Sequence, residues 1–409
     1  MADNLERGRT RVQGFVNPEM DYQLMRQLGS ARYGGASVGE CLALAQKIGS
    51  AQPAAWVDAF EASGKRHQAD AEGRAARGHA ISARDQYLEA CNSYRAAEYY
   101  TPIEDDRHRA LGLSSRRCFM AYLRAAGIHG TELWFHYQGL ALPAYHIHQP
   151  EGGVTPARML AIVSGFDGTL EESWIMYGAA AFERGYDLLL FTGPGQMDAW
   201  RFHDGSHFAP DFEQVGRQVA DYVTAVPGAY AGRLALMGIS FGGYFATRIA
   251  AHEPRFSALI ANSPIIDLHA YMVSFAGVDP AELSAADDFR LADLPQIPDS
   301  VMDAQTRGMA GNLMRRFGQE GFADTYRYLR QFRVDSQALS QIACPSLALA
   351  GEGEGAEPLR QLSVFMQGTG GPSTSHIFTA AEGADGHCQN ANPAISAAVA
   401  LDWLDERFS

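Results

Sequence analysis

The sequence predicts an α/β fold: a mostly parallel central sheet with helices on both faces, a helical region before it and a helical insertion within it. Three observations predict this. Short apolar runs of four or five residues recur from Met159 onward, each followed by a helical stretch, the pattern of strands buried on both faces in βαβ winding. The first 128 residues contain no alternating β-branched run and read as helices. Between Ala261 and Ser346 the strand rhythm stops for roughly eighty residues of mainly helical pattern.

The elements follow in order. Cys41–Gly49 has a helical apolar period ending on a C-cap glycine, and Pro53–Ser63, Ser82–Tyr100 and Ser115–Ala126 continue the helical text. Near Gly130 the pattern changes: Thr131–Gln138 and Leu140–His148 read as two strands joined at Gln138-Gly139. The apolar runs Met159–Val163, Leu188–Phe191, Leu234–Met237, Ala258–Ala261 and Ser346–Ala350 supply the remaining strands, and Pro393–Phe408 a last helix. The expected divisions are a helical N-terminal region (1–128), a first core part (129–263), an inserted helical lid (264–340) and a second core part (341–409).

Composition excludes several function classes. At 409 residues, 46% hydrophobic and 20% charged, the chain is globular. A net charge of −14 leaves no basic excess for nucleic acid. No apolar run approaches the ~20 residues of a membrane span, and the N-terminus lacks a signal-like apolar stretch; a cytoplasmic location is expected. The five cysteines are widely spaced with no CxxC pair, so neither a zinc site nor a disulfide framework is expected.

The chemistry centres on Gly238-Ile-Ser240-Phe-Gly242, a G-x-S-x-G between a buried strand and an amphipathic helix. That context is the strand–turn–helix of a nucleophile elbow, in which only small residues flanking the serine let the backbones pass. A serine hydroxyl needs a base to become nucleophilic. The elbow order is Ser, acid, His, and His387 is the only histidine beyond residue 376, in a small-residue loop before the last helix. The acid should follow Ser346–Ala350, where Gly351-Glu-Gly-Glu-Gly offers Glu354 by the usual spacing, with Glu352 as rival. An oxyanion hole should draw on the Phe241 amide and on the loop Ser164–Thr169, where Phe166 is the candidate donor. Asp167 is a candidate substrate contact or a cap for the helix near Leu170. His203 is a further candidate contact.

Other patterns carry less. Gly351-x-Gly353-x-x-Ala356 formally fits a dinucleotide loop, but its glutamates would repel a pyrophosphate. His146 and His148 share a strand face without a third metal ligand near in sequence. No cofactor and no metal is expected.

Four strings together carry a resemblance: Ser164-Gly-Phe-Asp-Gly-Thr-Leu-Glu-Glu172, Phe191-Thr-Gly-Pro-Gly-Gln196, the elbow at Ser240, and Gly383-Ala-Asp-Gly-His-Cys-Gln389. Gly78–Leu88 and Asn92–Tyr100 extend it into the N-terminal helices. The chain resembles the α/β-hydrolase group that contains 2,6-dihydroxypseudooxynicotine hydrolase, the fermentation-respiration switch protein and fungal polyketide-shortening pigment hydrolases. The resemblance implies an α/β-hydrolase fold and a triad enzyme acting on an acyl or β-diketone group of a small molecule, sometimes cleaving a carbon–carbon bond. It implies N-terminal helices that help form the substrate cavity or a homodimer. Ser240 and His387 match its nucleophile and base positions; Glu354 stands where many relatives carry Asp, and Thr192 where an Asp is frequent. An acyltransferase using the same residues, or a non-catalytic regulatory protein on the same fold, are the alternatives. The lid aromatics Tyr271, Phe317, Tyr326, Tyr328 and Phe332, with Tyr94, Tyr99 and Tyr100, predict an enclosed apolar chamber above Ser240.

Overall fold

The computed structural model describes residues 7–49, 52–150, 157–225, 229–275 and 289–409. Among the described residues, eight strands form one sheet in the order β1-β2-β4-β3-β5-β6-β7-β8. They are β1 (His129–Tyr137), β2 (Leu140–His148), β3 (Arg158–Val163), β4 (Tyr186–Phe191), β5 (Leu234–Ile239), β6 (Ala258–Asn262), β7 (Ser346–Gly351) and β8 (Ser373–Phe378). β1 and β2 form an antiparallel hairpin, β2 is antiparallel to β4, and the other pairings are parallel. Every residue of β4, β5, β6 and β7 is buried. Their continuous apolar text follows from that, because helices cover both faces. A fully buried Leu or Ile contributes roughly 1.5–3 kcal/mol by leaving water, so this sheet is the stiff platform of the molecule.

Among the described residues, five α-helices precede the sheet: α1 (Pro18–Ser30), α2 (Val38–Ile48), α3 (Pro53–Ala76), α4 (Ala80–Tyr100) and α5 (Asp106–Ala126). Within the sheet region come α6 (Leu170–Ser173), continued through a π-helical turn into α7 (Ala179–Glu183), then α8 (Met197–Trp200), α9 (Glu213–Thr224) and α10 (Gly242–His252). The insertion after β6 carries α11 (Leu268–Phe275), α12 (Ala304–Arg316), α13 (Phe322–Leu329) and α14 (Ser336–Ser340); α15 (Ala356–Gly368) and α16 (Pro393–Phe408) complete the chain.

Two elements escape the sequence pattern. α1 buries Glu19, Asp21, Gln23, Arg26 and Gln27 beside Met20 and Leu24, so its inward face is polar and shows no apolar period. β8 is an edge strand with only Phe378 buried, which removes the apolar run. The stretch Gly308–Phe332, which reads as one helical segment, breaks after Arg316, where Gly318 adopts φ 67° and closes α12. The helix at Leu170 is capped by Thr169, whose side chain accepts from the Glu172 amide; Asp167, the expected alternative cap, is held elsewhere.

Candidate active site

β5 ends where α10 begins, and the chain reverses at Ser240 with φ 59°. The glycines make this turn possible. A Cβ on Gly238 would lie 2.0 Å from the Gly242 carbonyl oxygen, and one on Gly242 would lie 2.3 Å from that of Val163. Ser240 thus sits on a strained turn at the N-terminus of α10, where the helix dipole favours negative charge.

The chain brings three predicted residues together from three separate loops. Ser240 Oγ lies 2.8 Å from His387 Nε2, and His387 Nδ1 lies 2.7 Å from Glu354 Oε2. The Glu354 side chain is 2% exposed, and its oxygens also accept from the Gly351 amide at 2.8 Å and from Ser263 Oγ at 3.0 Å. Burial alone would raise the Glu354 pKa; the His387 ring, with the Gly351 hydrogen bond, holds it below the ordinary value. For His387 burial would lower the pKa, but the adjacent Cys388 sulfur and the Glu354 carboxylate outweigh it and raise it. Glu352 takes no part: its carboxylate faces outward and accepts from the Ala380 amide at 2.8 Å.

The loop after β3 packs directly on the elbow. A Cβ on Gly165 would meet Ser240 Cβ at 2.7 Å and the Phe241 amide nitrogen at 2.8 Å. Phe166 follows, its ring stacked 5.5 Å from Phe208. Asp167 pairs with Arg26 of α1 at 3.1 Å. Burial would raise the Asp167 pKa, but Arg26 and Arg7 hold its carboxyl well below the usual range. His203 is not brought to the site. Its Nε2 lies 2.7 Å from the Ala141 carbonyl at the start of β2, three strands across the sheet from β5.

Comparison with known proteins places this geometry. The Prolyl oligopeptidase family matches residues 195–282, the segment around the elbow. The chain is 29% identical over 360 residues to an alpha/beta hydrolase, xenA, of Xenoacremonium sinensis, covering 82% of each chain. It is 30% identical over 357 residues to the hydrolyase poxO of Penicillium oxalicum, covering 81% of this chain and 82% of the relative. This chain belongs to the α/β hydrolases. The fold of the hydrolase is also that of 2,6-dihydroxy-pseudo-oxynicotine hydrolase, at TM-score 0.70 and 19% identity over 92% of this chain and 94% of that one.

The hydrolase has site contacts that sequence reasoning missed. Tyr271, on α11 of the insertion, places its hydroxyl 3.0 Å from Glu354 Oε2 and 3.1 Å from His387 Nδ1. Gln196 bonds the Ser164 carbonyl at 2.6 Å and accepts from the Gly193 amide, tying the loop after β4 to the loop under Phe166; Thr192 Oγ donates to the same Gln196 oxygen. The N-terminal segment braces the histidine loop. The His387 amide donates to the Arg7 carbonyl at 2.7 Å, and buried Asp385 accepts from the Arg9 amide at 2.6 Å and from Thr10 Oγ. The Asp385 carbonyl accepts from Gly353 of the acid loop. Tyr22 of α1 donates to the His387 carbonyl at 3.0 Å. Apart from the bonds of Gly193 and Thr192 to Gln196, which lie within four residues, these contacts join partners far apart in sequence, so no local pattern announces them.

The N-terminal helices and the insertion therefore both reach Ser240's neighbours. Tyr99 bonds Glu19 at 2.7 Å and packs edge-on to Tyr100. Tyr94 turns away, its hydroxyl bonding Gln68 of α3. Among the described residues one group has metal-ligand spacing: His67 Nε2 is 2.8 Å from Glu40 and 3.3 Å from Glu89. It lies between α2, α3 and α4, and Arg66 already binds Glu40 there. Also among the described residues, no helix is long and apolar enough to cross a membrane.

Proposed function

We propose that this protein is a serine-triad hydrolase acting on an acyl or β-diketone carbonyl of a small aromatic or polyketide-like molecule in secondary metabolism. The observation that carries the reading is the unbroken hydrogen-bond path from Ser240 through His387 to Glu354, at 2.8 and 2.7 Å. Ser240 Oγ adds to the carbonyl while His387 Nε2 takes its proton; Glu354 fixes the Nδ1–H tautomer and stabilises the imidazolium. The Phe241 and Phe166 amides bind the developing oxyanion. His387 then protonates the leaving group, an alkoxide oxygen in an ester or the enolate carbon in a β-diketone. Water, deprotonated by the same ring, releases the acid from Ser240.

A packed group of aromatic rings lies beside the elbow. Phe166, Phe208, Phe241, Phe317 and Phe332 form one contiguous group, with Phe241 5.7 Å from Phe332 and Phe208 5.0 Å from Phe317. Phe166, the partly exposed ring of this group, offers a flat face that suits an aromatic or polyketide acyl chain.

The test is labelling with a fluorophosphonate probe followed by peptide mass mapping. The probe should modify Ser240, and Ser240→Ala should lose both labelling and hydrolysis of 4-nitrophenyl esters at unchanged melting temperature. Labelling elsewhere, or near wild-type turnover in Ser240→Ala, overturns the assignment and favours a non-catalytic role.

A further inference from the structure

Arg316, the last residue of α12, is 1% exposed. A buried guanidinium is ordinarily matched by carboxylates, because leaving its charge uncompensated costs several kcal/mol. Arg201 obeys this rule, with Glu98 at 2.7 Å, Glu171 at 3.0 Å and Asp198 at 2.7 Å. Arg316 does not. Among the described residues no carboxylate stands at ion-pair distance from it, and Asp167, the acid of the neighbouring loop, is engaged by Arg26. Its Nε and Nη2 both donate to the Gly195 carbonyl, at 2.8 and 2.5 Å. Nη1 has no partner among the described residues. Burial lowers its pKa to about 9, against the opposing pull of Asp167, so it is still a cation at neutral pH.

Its position is specific. The guanidinium lies 4.2 Å from the centre of the Phe166 ring and 4.9 Å from that of Phe208, and Phe166 follows the glycine that packs on Ser240. The Phe208 amide donates to the Arg316 carbonyl at 2.8 Å, fixing the helix end. Nη1 and the second hydrogen of Nη2 form an unused fork of the kind that matches a planar anion with two oxygens.

We propose that Arg316 is a substrate-recognition residue that binds a planar two-oxygen anion, a carboxylate or the enolate of a 1,3-dicarbonyl compound, on the Phe166 side of the reacting carbonyl. This rests on the reading of Ser240 as nucleophile and adds the charge class of its substrate. The anion supplies at contact distance the counter-charge that no described residue places there, and the phenyl face beneath the guanidinium holds the fork in plane.

The experiment compares two esters of equal length, 4-nitrophenyl hemiglutarate and 4-nitrophenyl valerate, on the wild type, Arg316→Met and Arg316→Lys. The wild type should prefer the anionic ester. Arg316→Met should lose about 10- to 100-fold in kcat/KM on it, mostly through KM, and under about 3-fold on the valerate. Arg316→Lys should retain part of the preference. Benzoate and the anion of 1,3-cyclohexanedione, used as competitive inhibitors of valerate hydrolysis, separate carboxylate from enolate; each should bind the wild type more tightly than Arg316→Met. Equal loss on both esters would mean that Arg316 only anchors the insertion to Gly195 and would overturn the proposal. So would an unchanged preference in Arg316→Met. If the Met variant unfolds, the anion inhibition of the wild type against Arg316→Lys decides, and indifference of both to the anions refutes the idea. Loss of the Ser240 reading appears separately, as valerate hydrolysis that survives Ser240→Ala.

Discussion

Replacing Glu354 by Gln removes one charge and almost no volume, which makes its effect calculable. Oε1 accepts the Gly351 amide at 2.8 Å, while Oε2 faces His387 Nδ1 at 2.7 Å and Tyr271 at 3.0 Å. The glutamine oxygen must keep the Gly351 position, so its amide nitrogen points at Nδ1. Two donors cannot face each other, and Nδ1 becomes an acceptor. The ring proton then sits on Nε2, aimed at Ser240, and no base remains. The loss should be about 10²- to 10⁴-fold in kcat, or roughly 3–6 kcal/mol at about 1.4 kcal/mol per decade. Glu352→Gln, which touches only the Ala380 amide, should stay within about 2-fold. Steady-state hydrolysis of a chromogenic ester across pH measures both. The sign of the pH effect is also fixed. His387 must be neutral to act, and its pKa is raised, so wild-type activity should fall as pH drops through a value above the ordinary histidine ~6.5. Removing the carboxylate takes away one of the two influences that raise it and leaves burial, which disfavours the charged ring, opposed by Cys388 alone, so the residual activity of Glu354→Gln should show a lower limb. Activity within about 3-fold of wild type in Glu354→Gln, a larger loss in Glu352→Gln, or a limb that moves upward would refute the reasoning.

Two further outcomes follow from the contacts around this path. Tyr271→Phe removes a donor to a buried carboxylate, a bond worth roughly 1.5–3 kcal/mol; kcat should fall about 10-fold with KM little changed and a shifted pH limb, and an unaltered profile would show that the hydroxyl only packs. Asp385→Ala releases the Arg9 and Thr10 contacts, and fluorophosphonate labelling of Ser240 should slow by the same factor as kcat, about 10-fold, because the base is less well held; full labelling speed would contradict a positioning role.

Wherever one short stretch of chain imposes its own geometry, the sequence alone determined the outcome. The buried strands announce themselves as apolar runs because both faces are covered. The turn at Ser240 is legible because Gly238 and Gly242 leave room that a Cβ would fill within 2.0–2.3 Å of backbone oxygens. Order along the chain, with the usual spacing after β7, singled out His387 and favoured Glu354 over Glu352, and the fold places Glu354, not Glu352, against the imidazole. Contacts between distant segments were decided by tertiary structure only. β8 and α1 lack an apolar period, one because it lies at an open sheet edge and the other because its inward face is ionic. Tyr271 read only as one of the lid aromatics and Arg316 as an ordinary insertion residue until folding set the Tyr271 hydroxyl 3.0 Å from Glu354 and buried the Arg316 guanidinium with no carboxylate at ion-pair distance among the described residues. His203, equally plausible in sequence, lies against Ala141 of β2, three strands from β5. Local sterics and burial leave a periodic trace in the text, whereas pairing across 80 to 380 residues depends on how the layers stack, and no local pattern records it.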